Sequence, residues 1–268
     1  MTDTSFADLM ASFDASARRP AFRLPQDWMQ GRAGFGGLLG ALALKSMRAH
    51  VPRARRVRSL LISFVAPVGP GDFAIHTGVL RSGKSVTHME AKLVQRDQVC
   101  CVALGGFGGD RQSVIAIEPA DRPQMADPKQ AMALPYIDGL TPVFTRHFHY
   151  RWALGELPFS GKGDREIGGW IQFREQTDCL TEEWLVALAD AWPVPVLAML
   201  TAPAAASTLT WQMGFVHLDR RTCTENDWWG FHSTADSAEN GYVHERAAVW
   251  DPEGRLAAYS RQTSTIFA

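Results

Sequence analysis

Three residues of this chain combine chemical types and positions that could do chemistry: Asp190, Thr208 and Gln262. Asp190 stands near the end of an otherwise apolar stretch, WLVALADAW. A carboxylate in such a helix costs free energy unless it is hydrogen-bonded or faces a wet cavity. Thr208 lies in STLTWQMGFVH and Gln262 in YSRQTSTIF, both strand-like. A carboxylate can act as general base and contribute roughly 10²–10⁴-fold to a rate. Threonine and glutamine side chains both donate and accept hydrogen bonds, so they can fix the direction of an attacking water. Direct attack by Asp190 itself is the covalent alternative. The plainer reading of Asp190 is a helix-end carboxylate that reaches solvent or a nearby backbone N–H.

Gly36 and Gly37 open the run GGLLGALALKSMRAH, which reads as a helix apolar on nearly every side. Unpaired N–H groups at a helix start, with no side chains in the way, form a place for a developing oxyanion. Glycines there also serve tight helix–sheet packing. His147 and His149 alternate on a strand and share a face, but no third ligand accompanies them, so no metal is expected. The four cysteines, Cys100, Cys101, Cys179 and Cys223, have no metal or disulfide spacing and read as reduced thiols. RARRVR, with Arg53, Arg55, Arg56 and Arg58, reads first as a solvated basic turn and second as a place for phosphates.

The elements that must position these residues come in two rounds. The first is the apolar helix over 38–50, closed by Pro52, then strands over 57–66, 72–81, 84–95 and 98–107, separated by GPGD, SGK and RDQ. Residues 111–143, rich in proline, read as a linker draped over the surface. Strands over 144–153 and 167–174 follow. The second round is a helix over 181–191, with Thr181 as N-cap and Glu182 and Glu183 in its first turn. Strands over 207–217, 227–235, 242–250 and 256–267 complete it. The spacing implies an internal duplication, with units over 1–110 and 144–268. Aligning Ser207-Thr208-Leu209 with Ser59-Leu60-Leu61 puts Leu42 opposite Asp190, and aligning Phe267 with Phe107 puts Val102 opposite Gln262. All three polar residues thus fall in one unit, which points to one site.

Composition agrees with a folded body of this kind. The 268 residues are 46% hydrophobic, with 27 basic and 28 acidic side chains and a net charge of −1, which excludes a disordered chain. That balance offers no global field for nucleic acid or an anionic membrane. The longest apolar run, Phe35 to Leu44, is about half of the ~20 residues a bilayer span needs. MTDTSFADLMASFDASARR lacks the pattern of a signal peptide, so the expected location is cytoplasmic.

Four segments resemble one family. WMQGRAGFGGLLGALAL, LADAWPVP, STLTWQMGFVH and YSRQTSTIF are similar, in order and spacing, to acyl-CoA thioesterase II (TesB-like) proteins and the broader thioesterase-like group. The resemblance implies an α+β double hotdog, two antiparallel sheets each wrapped round a long buried helix. It implies an acyl-CoA substrate and no cofactor, and the sheet edges at both ends of such a fold invite pairing into a homodimer or higher homo-oligomer. It also implies that Asp190, Thr208 and Gln262 hold the attacking water. Two positions depart from the family pattern: Thr210 stands where an acidic residue is frequent, and Arg261 flanks the glutamine in place of a small aliphatic residue. The rival is a catalytically silent acyl-group binding protein with the same fold.

Overall fold

The computed structural model describes residues 3–15, 21–217, 221–224 and 227–268. Its helices are α1 (Phe6–Ser12), α2 (Gly36–Arg48) and α3 (Glu182–Asp190). The strands of the main sheet are β1 (Ala21–Leu24), β2 (Arg56–Phe64), β3 (Gly71–Ser82), β4 (Val86–Gln95), β5 (Gln98–Gly108), β6 (Met132–Leu134), β7 (Phe148–Leu154), β8 (Glu166–Phe173), β9 (Ala205–Phe215), β10 (Trp229–Glu239), β11 (Tyr242–Trp250) and β12 (Leu256–Phe267).

The sheet is antiparallel and continuous, in the order β1-β3-β4-β5-β2-β9-β12-β11-β10-β8-β7-β6. The two expected sheets are therefore one twelve-stranded sheet. β2 and β9, the inner edges of the two halves, pair from Thr210 with Ser63 to Gly214 with Ser59. Pairing satisfies N–H and C=O rows that would otherwise be open edges. Tight turns set the register within each half. Arg96 and Asp97, both at positive φ, link β4 to β5, and Asn240-Gly241 links β10 to β11.

α2 and α3 lie against each other, each covered by its half of the sheet. α2 is apolar all round because it has no solvent face: Leu38, Leu42 and Leu44 are at most 1% exposed. Truncating such a leucine to alanine costs about 2–5 kcal/mol. α2 begins two residues earlier than the sequence pattern predicts, at Gly36. Thr181 occupies the N-cap of α3, but its hydroxyl donates to the Glu183 carboxylate and caps no backbone N–H.

The strand expected over 144–153 starts at Phe148. Residues 143–147 form a 3-10 turn instead, because Phe144 turns inward to stack on Phe35 at 4.0 Å. The proline-rich segment crosses the outer face of the second half: Trp170 Nε1 donates to Ala126 O at 2.8 Å, and the Arg122 guanidinium lies 4.3 Å over the Trp170 ring. This cover explains why β8 is buried on both faces.

The halves carry matching β-bulges, between Val57 and Ser59 in β2 and between Thr208 and Thr210 in β9. Superposing the bulges corrects the alignment drawn from sequence. Thr208 then corresponds to Val57 and not Leu60, and Gln262, opposite Trp211, corresponds to Gly105, opposite Leu60. Met47, packed against Gly105, takes the place of Asp190. The first half is still apolar at all three places.

Candidate active site

The C-terminal end of α3 carries the first candidate residue. Asp190 is its last residue, Pro193 and Pro195 forbid continuation, and the Tyr150 hydroxyl donates to Ala191 O at 2.9 Å, pinning the helix end. Asp190 keeps some accessible surface, while its carboxyl is packed among protein atoms. That burial pushes its pKa up to about 7, against two hydrogen bonds that favour the charged form, from the Gln262 side chain and the Gly37 N–H.

Three side chains form a chain of hydrogen bonds. Thr208 Oγ1 donates to Gln262 Oε1 at 2.8 Å, and Gln262 Nε2 donates to Asp190 Oδ1 at 3.1 Å. Thr208 Oγ1 also lies 3.4 Å from Ser264 Oγ. The first bond fixes the amide's orientation, so its N–H₂ must face the carboxylate. The bulge in β9 makes this possible. Leu209 is the extra residue, so Leu209 and Thr210 are both exposed while Thr208 and Trp211 both face the helix.

The helix starting at Gly36 completes the cluster from the other half. A Cβ on Gly36 would lie 2.7 Å from Asp190 Oδ2 and 3.2 Å from the Phe64 ring, so only glycine permits this approach. A Cβ on Gly37 would lie 3.0 Å from Ala187 Cα. Of the two glycines expected to offer an N–H to substrate, Gly37 spends its own on Asp190. The structure thus brings Asp190, Thr208, Gln262, Gly36 and Gly37 together across the α2–α3 contact.

The two positions that depart from the family pattern face away. Thr210 and Arg261 are exposed, and Arg261 lies 3.9 Å from Asp236. Of the basic turn, Arg55 is held by the Thr87 hydroxyl, the Ser82 hydroxyl at 3.2 Å and the carbonyls of Gly83 and Lys84, and Arg58 pairs with Asp110. Those two guanidiniums serve the fold. His147 stacks on Trp28 at 4.1 Å and bonds the Asp27 carbonyl at 3.0 Å. Among the described residues, no group of three His, Cys, Asp or Glu side chains is arranged to hold a metal. Cys100 and Cys101 are buried free thiols; the side chains of Cys179 and Cys223 lie outside the described set. Trp211, beyond the bulge in β9, is 1% exposed and donates to Ser260 Oγ at 2.9 Å, so it is filled core.

Sequence reasoning missed Glu245. It sits opposite Gln262 on the neighbouring strand, is 8% exposed and accepts from Ser233 Oγ at 3.2 Å. The signal was in the alternation of β11: Val243, Glu245, Ala247 and Val249 share the inward face.

Comparison with known proteins decides the family. Residues 24–108 match the acyl-CoA thioesterase N-terminal domain family, and residues 119–266 match the acyl-CoA thioesterase C-terminal domain family. The chain belongs to the acyl-CoA thioesterase family. It is a thioester hydrolase. No curated protein matches its sequence. Solved structures share its hotdog fold at low identity. A conserved protein of unknown function with a hot dog fold from Alicyclobacillus acidocaldarius is 20% identical, with TM-score 0.86 and 99% of each chain covered. A tesB protein from Mycobacterium avium subs paratuberculosis is 14% identical, with TM-score 0.78, covering 98% of this chain and 100% of that one. The acyl-CoA thioesterase II TesB2 of Mycobacterium marinum is 16% identical, with TM-score 0.74 and 97% of each chain covered. Among the described residues, no helix is long and apolar enough to cross a membrane.

Proposed function

We propose that this thioesterase is a double hotdog that hydrolyses acyl-CoA by direct attack of a water on the thioester carbonyl, with Asp190 as general base. The observation that carries the reading is the chain Thr208–Gln262–Asp190, ending on a carboxyl whose burial lifts its pKa to about 7. A base with that pKa is half-ionised near neutral pH and still strong enough to take a proton from water in the transition state. Thr208 and Gln262 orient the water. Its oxygen bonds to the carbonyl carbon and its proton passes to Asp190. The oxyanion is met by the Gly36 N–H at the positive end of α2, a contribution of about 10²–10³ in rate for comparable donors. Collapse breaks the C–S bond, and Asp190 returns its proton to the thiolate sulfur. The products are a carboxylic acid and coenzyme A, and the enzyme is regenerated without a cofactor.

The test is release of free thiol from acyl-CoAs of graded chain length, followed against pH. The rate should rise with pH through about 7, as the carboxyl of Asp190 ionises. No thiol release from any chain length would overturn the reading.

A further inference from the structure

Glu245 is a carboxyl in the wrong place for a structural glutamate. It is more than nine-tenths buried, on the inward face of β11, directly across the ladder from Gln262. Residues paired this way have Cβ atoms roughly 4.5–5.5 Å apart, so their side chains touch or nearly touch. The side chains placed beside it are neutral or acidic. Ser233 on β10 donates to it, Ala235 on β10 and Gln262 on β12 lie opposite it, and Asp190 at the end of α3 adds negative charge. The connection after α3, AWPVPVLAM, adds no charge. Among the described residues no ion pair reaches Glu245.

A buried carboxylate without a cation is expensive, and two carboxylates in one site cannot both ionise cheaply. From this geometry we propose that Glu245 is a positioning residue of the active site: a second carboxyl that stays protonated, braces Gln262 across the ladder and leaves the working negative charge to Asp190 alone. The proposal rests on the water-attack reading above. Its logic is a division of roles between two acids in one environment. Asp190 has the Gly37 N–H and the Gln262 amide to favour its charged form, whereas Glu245 has a single hydroxyl. Asp190 therefore ionises first, and its charge adds to burial in pushing Glu245 up to about 8. Once Glu245 ionises as well, a second negative charge sits beside a transition state that is itself gaining negative charge on the carbonyl oxygen. Catalysis should then fall.

The wild-type pH–rate profile for acyl-CoA hydrolysis should be bell-shaped, rising through about 7 and falling above about 8. In Glu245→Gln, which fixes the neutral form, the falling limb should vanish. A merely structural glutamate would change the rate or the yield of folded protein without moving the limb. Infrared difference spectroscopy gives a readout that needs no turnover. The wild type near neutral pH should show, over the signal of half-protonated Asp190, the additional carbonyl-stretch intensity of a second buried carboxylic acid, which Glu245→Gln loses. That band should titrate away at lower pH in Asp190→Asn, where the neighbouring charge is gone. A wild-type profile without a falling limb overturns the proposal, as does an unchanged limb in Glu245→Gln or a carbonyl-stretch intensity equal in both proteins. Failure of the underlying reading looks different: Asp190→Asn would then hydrolyse substrate as wild type does.

Discussion

Asp190→Asn should cost activity and add stability, and the pH dependence of the gain is the discriminating quantity. Burial lifts the Asp190 carboxyl from 3.8 to about 7, a shift of about three pH units. Each unit corresponds to about 1.4 kcal/mol, so ionising this group in the folded protein costs up to about 4 kcal/mol more than in the unfolded chain. Asp190 keeps some accessible surface, and solvent screening lowers the expected cost to about 2–4 kcal/mol. The sign follows from linkage. The folded-state pKa is raised, so the folded protein binds more protons between about 4 and 7, and stability declines across that window as pH rises. Below it the wild type carries no such penalty; above it the penalty is complete. The asparagine never ionises and escapes it. It does lose an accepted hydrogen bond, a pH-independent cost of about 1 kcal/mol. The variant's stability relative to wild type should therefore improve by about 2–4 kcal/mol between pH 4 and pH 8. Its hydrolysis rate should drop by about 10²-fold or more. Urea unfolding at the two pH values and a thiol-release assay measure both. A stability difference that is the same at both pH values would refute the buried, perturbed carboxyl.

Gly36→Ala places a methyl group 2.7 Å from Asp190 Oδ2, so it should cut kcat by about tenfold or more, with a stability change within about 1 kcal/mol because alanine favours the helix. Kinetics and denaturant unfolding separate the two effects. Thr208→Val and Gln262→Leu break the same chain of hydrogen bonds. Each should lower kcat by about 10–100-fold, and the double variant should be little worse than either single one. Arg55→Ala removes contacts to Ser82, Gly83 and Lys84, and should lower stability in denaturant unfolding by about 1–3 kcal/mol without raising KM for acyl-CoA. A raised KM would assign that guanidinium to the phosphates of coenzyme A after all.

The three-residue cluster was legible because each member breaks a local rule. A carboxylate in an apolar helix, and a threonine and a glutamine where the first half has apolar residues, are conflicts that only a site resolves. The helices and hairpins were legible for the usual reasons, apolar periodicity and turn residues such as Asn240-Gly241. What was not legible is non-local. Nothing in β2 or β9 announces that they pair with each other, and the bulge at Leu209 appears only as a register shift between strands. Without that bulge the alignment with the first half slipped, to Leu60 and Val102 in place of Val57 and Gly105. Phe144 left its expected strand for a stack on Phe35, a tertiary choice overriding local pattern. Glu245 is the same kind of conflict as Asp190, an acid at an inward position of an alternating strand.

The joint between β2 and β9 also orders events in time. Within each half most strands pair with a near neighbour in sequence, through hairpins that close quickly. The joint and the α2–α3 contact bring together segments about half the chain apart, and such closures are slow because loop entropy is lost before contacts repay it. Asp190 receives Gln262 from its own half but the Gly37 N–H, and the close approach of Gly36, from the other. Each half can therefore acquire its strands while the carboxyl is still wet, with the pKa of an ordinary aspartate. The proposed base acquires its raised pKa only when the halves dock, so that pKa is a clock for the last step of folding.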